Sequence, residues 1–412
     1  MTFVVQKYGG SSVADMDKIR EVARRVCACK EAGNGVVVVV SAMGKTTNEL
    51  VALAREASKN PPRRELDMLL TAGERITASL LSIAIQELRH EAISLTGSQC
   101  GIMTNDRHSD ARIIEVRPVR VEDELARGRI VIVAGFQGVS YKREITTLGR
   151  GGSDTTAVAL AAALGAERCE IYSDVDGVYS ADPNQIPEAR HLPEVSYEEM
   201  QEMAVAGAKV LKASAVEFAK RSGIAIYARA SFTPGRETVI RRDIPEEHHG
   251  VRAVVSERRV ALVAFMGEAV TERFVDILES AESTFTPVKE LRFQCPEGPR
   301  SWARGSFVVS TSTLPDWERT RERIAAAGRE NLEITDELGA ISLIGVGINR
   351  DTRNVLEATA IMKRLGAPII ALSTSGFRIS FITDESCLED AVTAFHEAFI
   401  TAPLQGRSLE ES

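Results

Sequence analysis

Five consecutive valines at positions 36–40 place the strongest constraint on what this chain can fold into. A strand that is apolar on both faces has to be covered on both, which is typical of a parallel sheet with helices packed on each side. The valines lead directly into a turn of small and polar residues, Ser41 to Asn48, and a helical pattern follows. The run therefore predicts a three-layer α/β domain with a mostly parallel sheet and a polar loop at the end of a central strand.

Two further segments of the chain have the same character. The short apolar strand Phe3–Val5 leads to Lys7 and to a Gly-Gly-Ser turn at 9–11. The stretch Thr147–Leu164, TLGRGGSDTTAVALAAAL, is a glycine-rich turn followed by a helical pattern. Because loops at the carboxyl ends of parallel strands meet at one edge of a sheet, we expect these turns to form a ligand site along that edge.

The glycine-rich turn carries groups that bind anions. Bare backbone N–H groups at a helix N-terminus attract phosphate or carboxylate, and Arg150 offers a guanidinium fork for the same ligands. Asp154 adds a negative charge a few residues later. We expect Ser153 or Asp154 to cap a helix that begins at about Thr155.

The motifs of two common nucleotide-binding folds are missing from the sequence. The chain has neither a GxxxxGK[ST] loop nor a GxGxxG motif after its first strand, which argues against a P-loop NTPase and a Rossmann dehydrogenase. Phosphoryl transfer needs mainly positioning and positive charge around the migrating group. Lys7, beside the turn at 9–11, supplies such a charge, so the residues favour a kinase with a different kind of site.

The composition limits the compartment and the partners. With 412 residues, 44% of them apolar, the chain is long enough for two or three soluble domains. A formal net charge of −8 without a basic block argues against a nucleic-acid partner. Six cysteines without a CxxC motif predict reduced thiols in a cytoplasmic protein, and no residue grouping predicts a protein-bound metal. A strand that begins at Phe3 predicts that the chain has no signal peptide. No apolar run approaches the length of a membrane span, so no membrane contact is predicted.

A change of pattern near residue 241 divides the chain. The front half, 1–240, is the predicted α/β domain, with a late helix expected at 208–222, and the polar stretch 241–257 is a predicted linker. Strands and helices then recur as two βαββα units with a period of roughly 80 residues, which is typical of paired ferredoxin-like modules. We place these modules at 258–337 and 338–402, with a tail at 403–412.

Five collinear motifs lie between about residues 3 and 232. They are KYGGSSV at 7–13, VVVVVSAMGKTTNEL at 36–50, TLGRGGSDTTAVALAAALGAE at 147–167, YSDVDGVYSADP at 172–183 and GAKVL at 207–211. Together they resemble the motifs of the aspartate kinases, which have the amino-acid-kinase fold. The tandem modules resemble the regulatory ACT domains of that family. The resemblance implies transfer of the γ-phosphoryl group of ATP to the β-carboxylate of L-aspartate.

The resemblance also implies roles for individual residues. Lys7 would act on the transferring phosphoryl group as a catalytic residue, and Asp154 would orient it. The acceptor residues would be Ser41, Thr47, Glu74 for the ammonium, Arg150 for the α-carboxylate, and Ser153. The nucleotide residues would be Lys7, the backbone N–H groups of Gly9, Gly10 and Ser11, and Ser173, Asp174, Tyr179, Asp182 and Lys209. Mg²⁺ would be carried on the ATP phosphates, with few or no protein ligands.

The sequence departs from the family pattern in both halves. Asn184 stands where the family usually has arginine, and Lys212-Ala213-Ser214 replaces His-Pro-Arg, so we expect weaker ATP binding with Lys212 or Arg190 as substitutes. In the modules, Gly366-Ala367-Pro368 replaces an asparagine-containing turn, and 295–305 resembles an insertion. These changes predict that inhibition by lysine or threonine is weak or absent and that the modules mainly form a homodimer or a higher homo-oligomer.

Two other functions stay open at this point. The chain could be a catalytically silent paralogue that acts as an amino-acid sensor or partner subunit, which the departures at 184 and 212–214 favour. It could also phosphorylate an aspartate analogue in a specialised pathway, because Glu74 and Arg150 select an α-amino acid without excluding β-substituted aspartates.

Overall fold

The computed structural model describes residues 2–149, 151–233, 235–242, 250–267, 270–284, 286–295, 303–314 and 316–402. Its contacts divide the chain into two compact units. The first comprises Met1–Val178, His191–Ala204 and Lys209–Pro245, and the second comprises Tyr179–Arg190, Val205–Ala208 and Glu246–Ser412.

The elements up to Arg241 alternate between strands and helices. In chain order they are β1 (Phe3–Tyr8), α1 (Met16–Glu31), β2 (Gly35–Val40), α2 (Thr46–Ala57), α3 (Arg63–Glu87), β3 (Ala92–Leu95), β4 (Ile102–Thr104), β5 (Ile113–Val116), α4 (Val119–Ala126), β6 (Ile130–Ala134), β7 (Gln137–Ser140), β8 (Ile145–Thr147), α5 (Gly152–Ala163), β9 (Arg168–Ser173), β10 (Val178–Tyr179), β11 (His191–Leu192), β12 (Glu194–Ser196), α6 (Tyr197–Ala206), α7 (Ala213–Ser222), β13 (Ile226–Ala230) and β14 (Glu237–Arg241).

An eight-stranded sheet forms the centre of the first unit, in the order β12-β14-β13-β9-β1-β2-β6-β3. Its strand pairs are parallel except for the antiparallel pair of β13 and β14. All six residues of β2 are buried, as the valine run predicts for a strand covered on both faces. The predicted three-layer α/β architecture with a mostly parallel sheet is confirmed.

The two faces of the sheet have different coverings. One apolar cluster joins Tyr8, Val38 and Ile132 of the strands to buried residues of α1 and α3. Because side chains alternate along a strand, Lys7 points to the opposite face, where α5 packs against β1. The alternation therefore places the predicted catalytic lysine in the layer that contains the glycine-rich turn.

A second, smaller sheet pairs β5, β4, β7 and β8 in that order, and it ends at Thr147 beside the glycine-rich turn. The sequence analysis did not predict β7, because Gly135 and Gly138 make this stretch resemble a turn. α3 is the one described helix that is long and apolar enough, by length and composition, to cross a membrane. Half of its apolar window is buried, and so are Asp67 and Glu74 on the same helix, so we interpret α3 as a core helix.

The second unit is built on a six-stranded antiparallel sheet. Its main elements are β15 (Ala253–Gly267), α8 (Val270–Ser283), β16 (Val288–Gln294), β17 (Ala303–Ser310), α9 (Trp317–Gly328), β18 (Leu332–Ile344), α10 (Arg353–Arg364), β19 (Ala371–Thr374), β20 (Arg378–Asp384) and α11 (Leu388–His396). The strand order is β16-β17-β15-β18-β20-β19. One apolar core includes residues of α8 and α9, and another includes residues of α10 and α11, as expected for two modules.

The two modules share strands, which the predicted boundaries do not reflect. β15 is one strand over 253–267, so 253–257 of the predicted linker pairs with β18 instead of connecting domains. β18 likewise runs without a break across the predicted boundary at 337/338. The polar residues near 257 lie at a bulge in the pairing, which explains why they resemble a linker.

The late helix also begins later than predicted. The pattern predicts a helix over 208–222, whereas α7 begins at Ala213. Gly207, with a φ of +115°, ends α6, and residues 208–212 then form no helical turn. Lys209 and Lys212 consequently lie before the helix, and Lys212 is its N-cap residue.

Candidate active site

A buried ion pair joins two of the predicted site residues. Nζ of Lys7, near the end of β1, lies 2.7 Å from Oδ1 of Asp154, in the first turn of α5. The two residues are 9% and 5% exposed. A charge removed from water needs a partner, and each residue supplies one to the other. The pair therefore fixes an ammonium group at the carboxyl edge of the sheet.

The turn after β1 lies against the turn after β2. The amide of Gly44 donates to the carbonyl of Gly10 over 3.0 Å. A Cβ atom at Gly10 would lie 2.9 Å from the carbonyl oxygen of Ala42, closer than real Cβ atoms approach. The amide of Gly9 donates to the carbonyl of Tyr172, so the predicted use of this N–H for phosphate needs correction because the sheet occupies it. Because Gly9 has no side chain, it leaves open space beside Lys7, where a Cβ atom would lie 3.5 Å from Nζ of the lysine.

These two glycines are expected to respond differently to alanine. Gly10→Ala forces the Cβ against a backbone carbonyl, so we expect a lower Tm and loss of activity. Gly9→Ala meets only ordinary contacts, so we expect a normal Tm with weaker nucleotide binding, because the methyl group fills the space beside Lys7. Thermal unfolding and titration with an ATP analogue measure the two effects. A Gly9→Ala variant that binds nucleotide normally would contradict the prediction that the phosphates lie beside this turn.

The predicted acceptor residues lie around the turn after β2. The hydroxyl of Ser41 donates to that of Ser153 over 3.0 Å, which joins this turn to α5. A Cβ at Gly135 would lie 2.8 Å from Oγ of Ser153, so the chain after β6 packs tightly against the same serine. Thr47 is half-buried in the first turn of α2.

Glu74 reaches the same turn from α3 with one oxygen left over. The residue is 3% exposed, and its Oε1 accepts a hydrogen bond from the amide of Ala42 over 3.2 Å. Its Oε2 is buried and has no hydrogen-bond partner among the described residues. Burial raises the pKa of Glu74 from 4.5 to about 7. A buried carboxylate oxygen without a donor is suited to bind a cationic group of a ligand.

Arg150 lies outside the described residues, and its neighbours define the turn. Gly149 and Gly151 both have a φ of +69°, which only glycine adopts at little cost. α5 begins at Gly152 with Gly151 as its N-cap, not at Thr155 with a side-chain cap. The predicted cap at Ser153 or Asp154 is therefore wrong, because the left-handed glycine turns the chain into the helix three residues earlier. Both side chains are thereby free for the contacts described above.

The predicted nucleotide residues fall into both compact units. In the first, Ser173 ends β9, Asp174 is exposed beside it, and Lys209 is exposed before α7. The hydroxyl of Ser231 donates to the carbonyl of Ser173 and lies 2.5 Å from the hydroxyl of Ser12. This chain of contacts brings Ser173 next to the turn at 9–11, where Ser11 is exposed.

The other two nucleotide residues belong to the second unit. Tyr179 is half-buried there, and Asp182 accepts hydrogen bonds from the backbone and side-chain amides of Asn184. Arg190, one proposed substitute for the missing arginine, donates to the carbonyl of Thr401 in the same unit.

Two polar residues beside the glycine-rich turn were not predicted as acceptor residues. Asp67 on α3 accepts a 2.6 Å hydrogen bond from the hydroxyl of Thr147, and Nζ of Lys212 donates to the carbonyl of Leu148 over 2.5 Å. A signal for Asp67 exists, because it precedes Glu74 by seven residues and so shares its helix face. Lys212, expected near ATP, contacts the glycine-rich turn instead.

A comparison with protein families identifies the class of the chain. The model described as "Amino acid kinase family" matches residues 2–228, more than half of the 412 residues. The matched region covers the strands and turns that gather Lys7, Asp154 and Glu74. The chain belongs to the amino acid kinase family.

Relatives within that family narrow the class. The aspartokinase of Mycolicibacterium smegmatis is 44% identical over 97% of this chain and 96% of its own, and that of Geobacillus stearothermophilus is 41% identical over 97% of each. The crystal structure of E. coli aspartokinase III in complex with aspartate and ADP (R-state) has a TM-score of 0.82, covers 96% of this chain and 99% of its own, and shares the fold at 24% identity. Within the amino acid kinase family, the chain belongs with the aspartokinases. The resemblance found in the sequence motifs is confirmed.

Proposed function

We propose that this protein transfers the γ-phosphoryl group of ATP to the β-carboxylate of L-aspartate, giving 4-phospho-L-aspartate and ADP. The names of its relatives support this reaction, and so does the fold it shares with an aspartokinase that binds aspartate and ADP. Among the residues of this chain, the buried Lys7–Asp154 pair carries the proposal. It holds a positive charge where the strand ends and the glycine turns meet.

Lys7 would stabilise the migrating phosphoryl group. The transition state of phosphoryl transfer spreads negative charge over the equatorial oxygens, so a fixed cation lowers its free energy without having to reorient. Asp154 keeps the ammonium in place at 2.7 Å and out of water. The space above Gly9 would admit the phosphates next to this cation.

The acceptor would be held at both ends of its amino-acid group. Oε2 of Glu74, buried and without a donor among the described residues, would accept a hydrogen bond from the substrate ammonium. Arg150 would bind the α-carboxylate, and Ser41, Thr47 and Ser153 would line the pocket. The β-carboxylate is then left to face the γ-phosphoryl group.

The residues proposed to bind the nucleotide, from the motifs, are Ser173, Asp174, Tyr179, Asp182 and Lys209. Within the described residues there is no group of three or more histidine, cysteine, aspartate or glutamate side chains that could hold a metal ion. We propose that Mg²⁺ binds to oxygens of the ATP phosphates and to water, donors that this ion prefers. Mg²⁺ bound there would neutralise part of the phosphate charge.

Trapping the product with hydroxylamine tests the reaction, because an acyl phosphate gives a coloured hydroxamate. We expect hydroxamate only when ATP and aspartate are both present. Binding of both without product would favour the silent paralogue, and product from a β-substituted aspartate alone would favour the specialised kinase. A panel of aspartate, its β-substituted analogues and other small dicarboxylic acids separates these outcomes.

We propose that the two modules mainly join subunits into an oligomer and that they inhibit the enzyme weakly or not at all. We expect a cytoplasmic protein. We also expect a homodimer or higher homo-oligomer, because paired modules of this type commonly complete each other's sheets across a dimer. Millimolar lysine and threonine, added separately and together, are expected to leave most of the hydroxamate activity intact. Strong inhibition by either amino acid, or by the pair, would overturn this expectation.

A further inference from the structure

Two polar side chains from different helices hold the turn just before position 150. We call residues 147–149 and 151–152 the acceptor turn, because Arg150 is the proposed ligand of the α-carboxylate. Asp67 fastens the turn from α3, and Lys212 fastens it from the start of α7. Neither residue belongs to a motif that predicted an acceptor contact.

Asp67 is surrounded by donors and fully buried. Its carboxylate accepts hydrogen bonds from the hydroxyl of Thr147 at 2.6 Å, the amide of Ser109 at 3.1 Å, and Nδ1 of His108 at 2.8 Å. Burial nevertheless raises the pKa of Asp67, because it outweighs these bonds. Burying an apolar side chain at position 67 would cost less free energy than burying a carboxylate, so core packing alone does not explain Asp67.

The ammonium group of Lys212 forms a hydrogen bond with a main-chain carbonyl. Its Nζ donates to the carbonyl of Leu148 over 2.5 Å and lies 3.6 Å from Oδ1 of Asp110. Burial lowers its pKa. A Cβ at Gly151 would lie 3.0 Å from Cβ of Lys212, so the lysine stem lies along the acceptor turn itself.

The loop at 105–110 also contacts the acceptor turn, and one of its residues has a strained backbone conformation. Ser109 has a φ of +73°, which residues other than glycine rarely adopt, and its amide is held by Asp67. A Cβ at Gly149 would lie 2.5 Å from Oδ1 of Asp110, so the loop and the acceptor turn are in close contact. Strained backbone held by buried hydrogen bonds is typical of a site whose position matters.

We propose that Asp67 and Lys212 are positioning residues for the α-carboxylate of the acceptor. They hold residues 147 and 148, just before position 150, and so set the affinity for that carboxylate, without touching ATP or the transferred group. The inference rests on the proposed function, because it assumes an acceptor with an α-carboxylate. It assigns Lys212 to the acceptor and not to the nucleotide.

Two aspartate analogues separate this role from a general structural one. Succinate keeps both carboxylates and lacks the ammonium, whereas β-alanine keeps the ammonium and the β-carboxylate and lacks the α-carboxylate. For Lys212→Met we expect the KM for aspartate and the Ki for succinate to rise about tenfold, as for loss of one charge-assisted hydrogen bond. The Ki for β-alanine and the KM for ATP should stay unchanged, and Lys212→Arg should restore most of the succinate affinity.

Matched controls and a second variant keep the test decisive. Lys220→Met changes a lysine within α7, whose ion pair is with Glu198. Glu65→Gln changes an exposed acid two residues before Asp67. Both variants should behave as the wild type. Asp67→Asn should repeat the selective loss. Because both residues act on one turn, the double variant should lose less than the product of the single losses.

The outcomes distinguish the two proposals. If the wild type forms no hydroxamate with aspartate, the proposed function fails. If the wild type is active but Lys212→Met weakens succinate and β-alanine equally, raises the KM for ATP, or changes nothing, the positioning role alone is overturned.

Discussion

Lys7→Met is expected to lower kcat by about a hundredfold to a thousandfold, the loss typical for one preorganised electrostatic contact. Methionine keeps the length and most of the volume of the lysine stem and removes only the charge. The KM for aspartate should change little, because the acceptor contacts of Glu74 and Arg150 do not involve Lys7. Steady-state kinetics by the hydroxamate assay measures both parameters.

The same substitution also leaves Asp154 as a buried charge without its partner. Removing one member of a buried ion pair costs about 3–5 kcal/mol, so urea unfolding of Lys7→Met should show a clear loss of stability. Adding Asp154→Asn removes the unpaired charge and should recover most of the stability but none of the activity. Lys59→Met, at an exposed position, is the control for both measurements. A Lys7→Met variant that keeps the wild-type kcat would overturn the proposed catalytic role.

Local pattern predicts the central sheet well because burial on both faces leaves few alternatives for a run such as 36–40. The turns at strand ends follow from the same argument, since parallel strands place them on one edge. Position within such a turn is harder to predict. The start of α5 was misplaced because a glycine with positive φ can open a helix where no side-chain cap exists.

Shared strands and long-range contacts are beyond what periodicity encodes. Nothing in the alternation of 253–267 or 332–344 says that each strand serves two modules, and the polar residues at the bulge near 257 favour a linker instead. The contact between Asp67 and Thr147 spans 80 residues. Helix spacing places Asp67 on the face of Glu74, but only the folded chain reveals what that face touches.

Glu74→Gln is expected to abolish the pH dependence of acceptor binding between about pH 6 and about pH 8. In the wild type, burial raises the pKa of Glu74 to about 7, so the carboxyl group of the free protein is largely protonated below that pH. Only the ionised form attracts the substrate ammonium, so kcat/KM for aspartate should rise through about pH 7. The glutamine variant should have a low kcat/KM without this rise, whereas Glu87→Gln, at an exposed position of the same helix, should keep it.

Stability should change in the opposite direction from activity. Because the folded-state pKa of Glu74 is raised from 4.5 to about 7, its contribution is present below the unfolded value and is lost as the pH rises through the folded value. The cost of burying the ionised group reaches about 3 kcal/mol at alkaline pH. Glu74→Gln should therefore unfold at a higher Tm than the wild type near pH 8 and at a similar Tm near pH 5. If the variant and the wild type had equal Tm values at pH 8 as well as at pH 5, Glu74 would already be ionised and paired in the free protein. Its second oxygen would then not be free for the substrate ammonium.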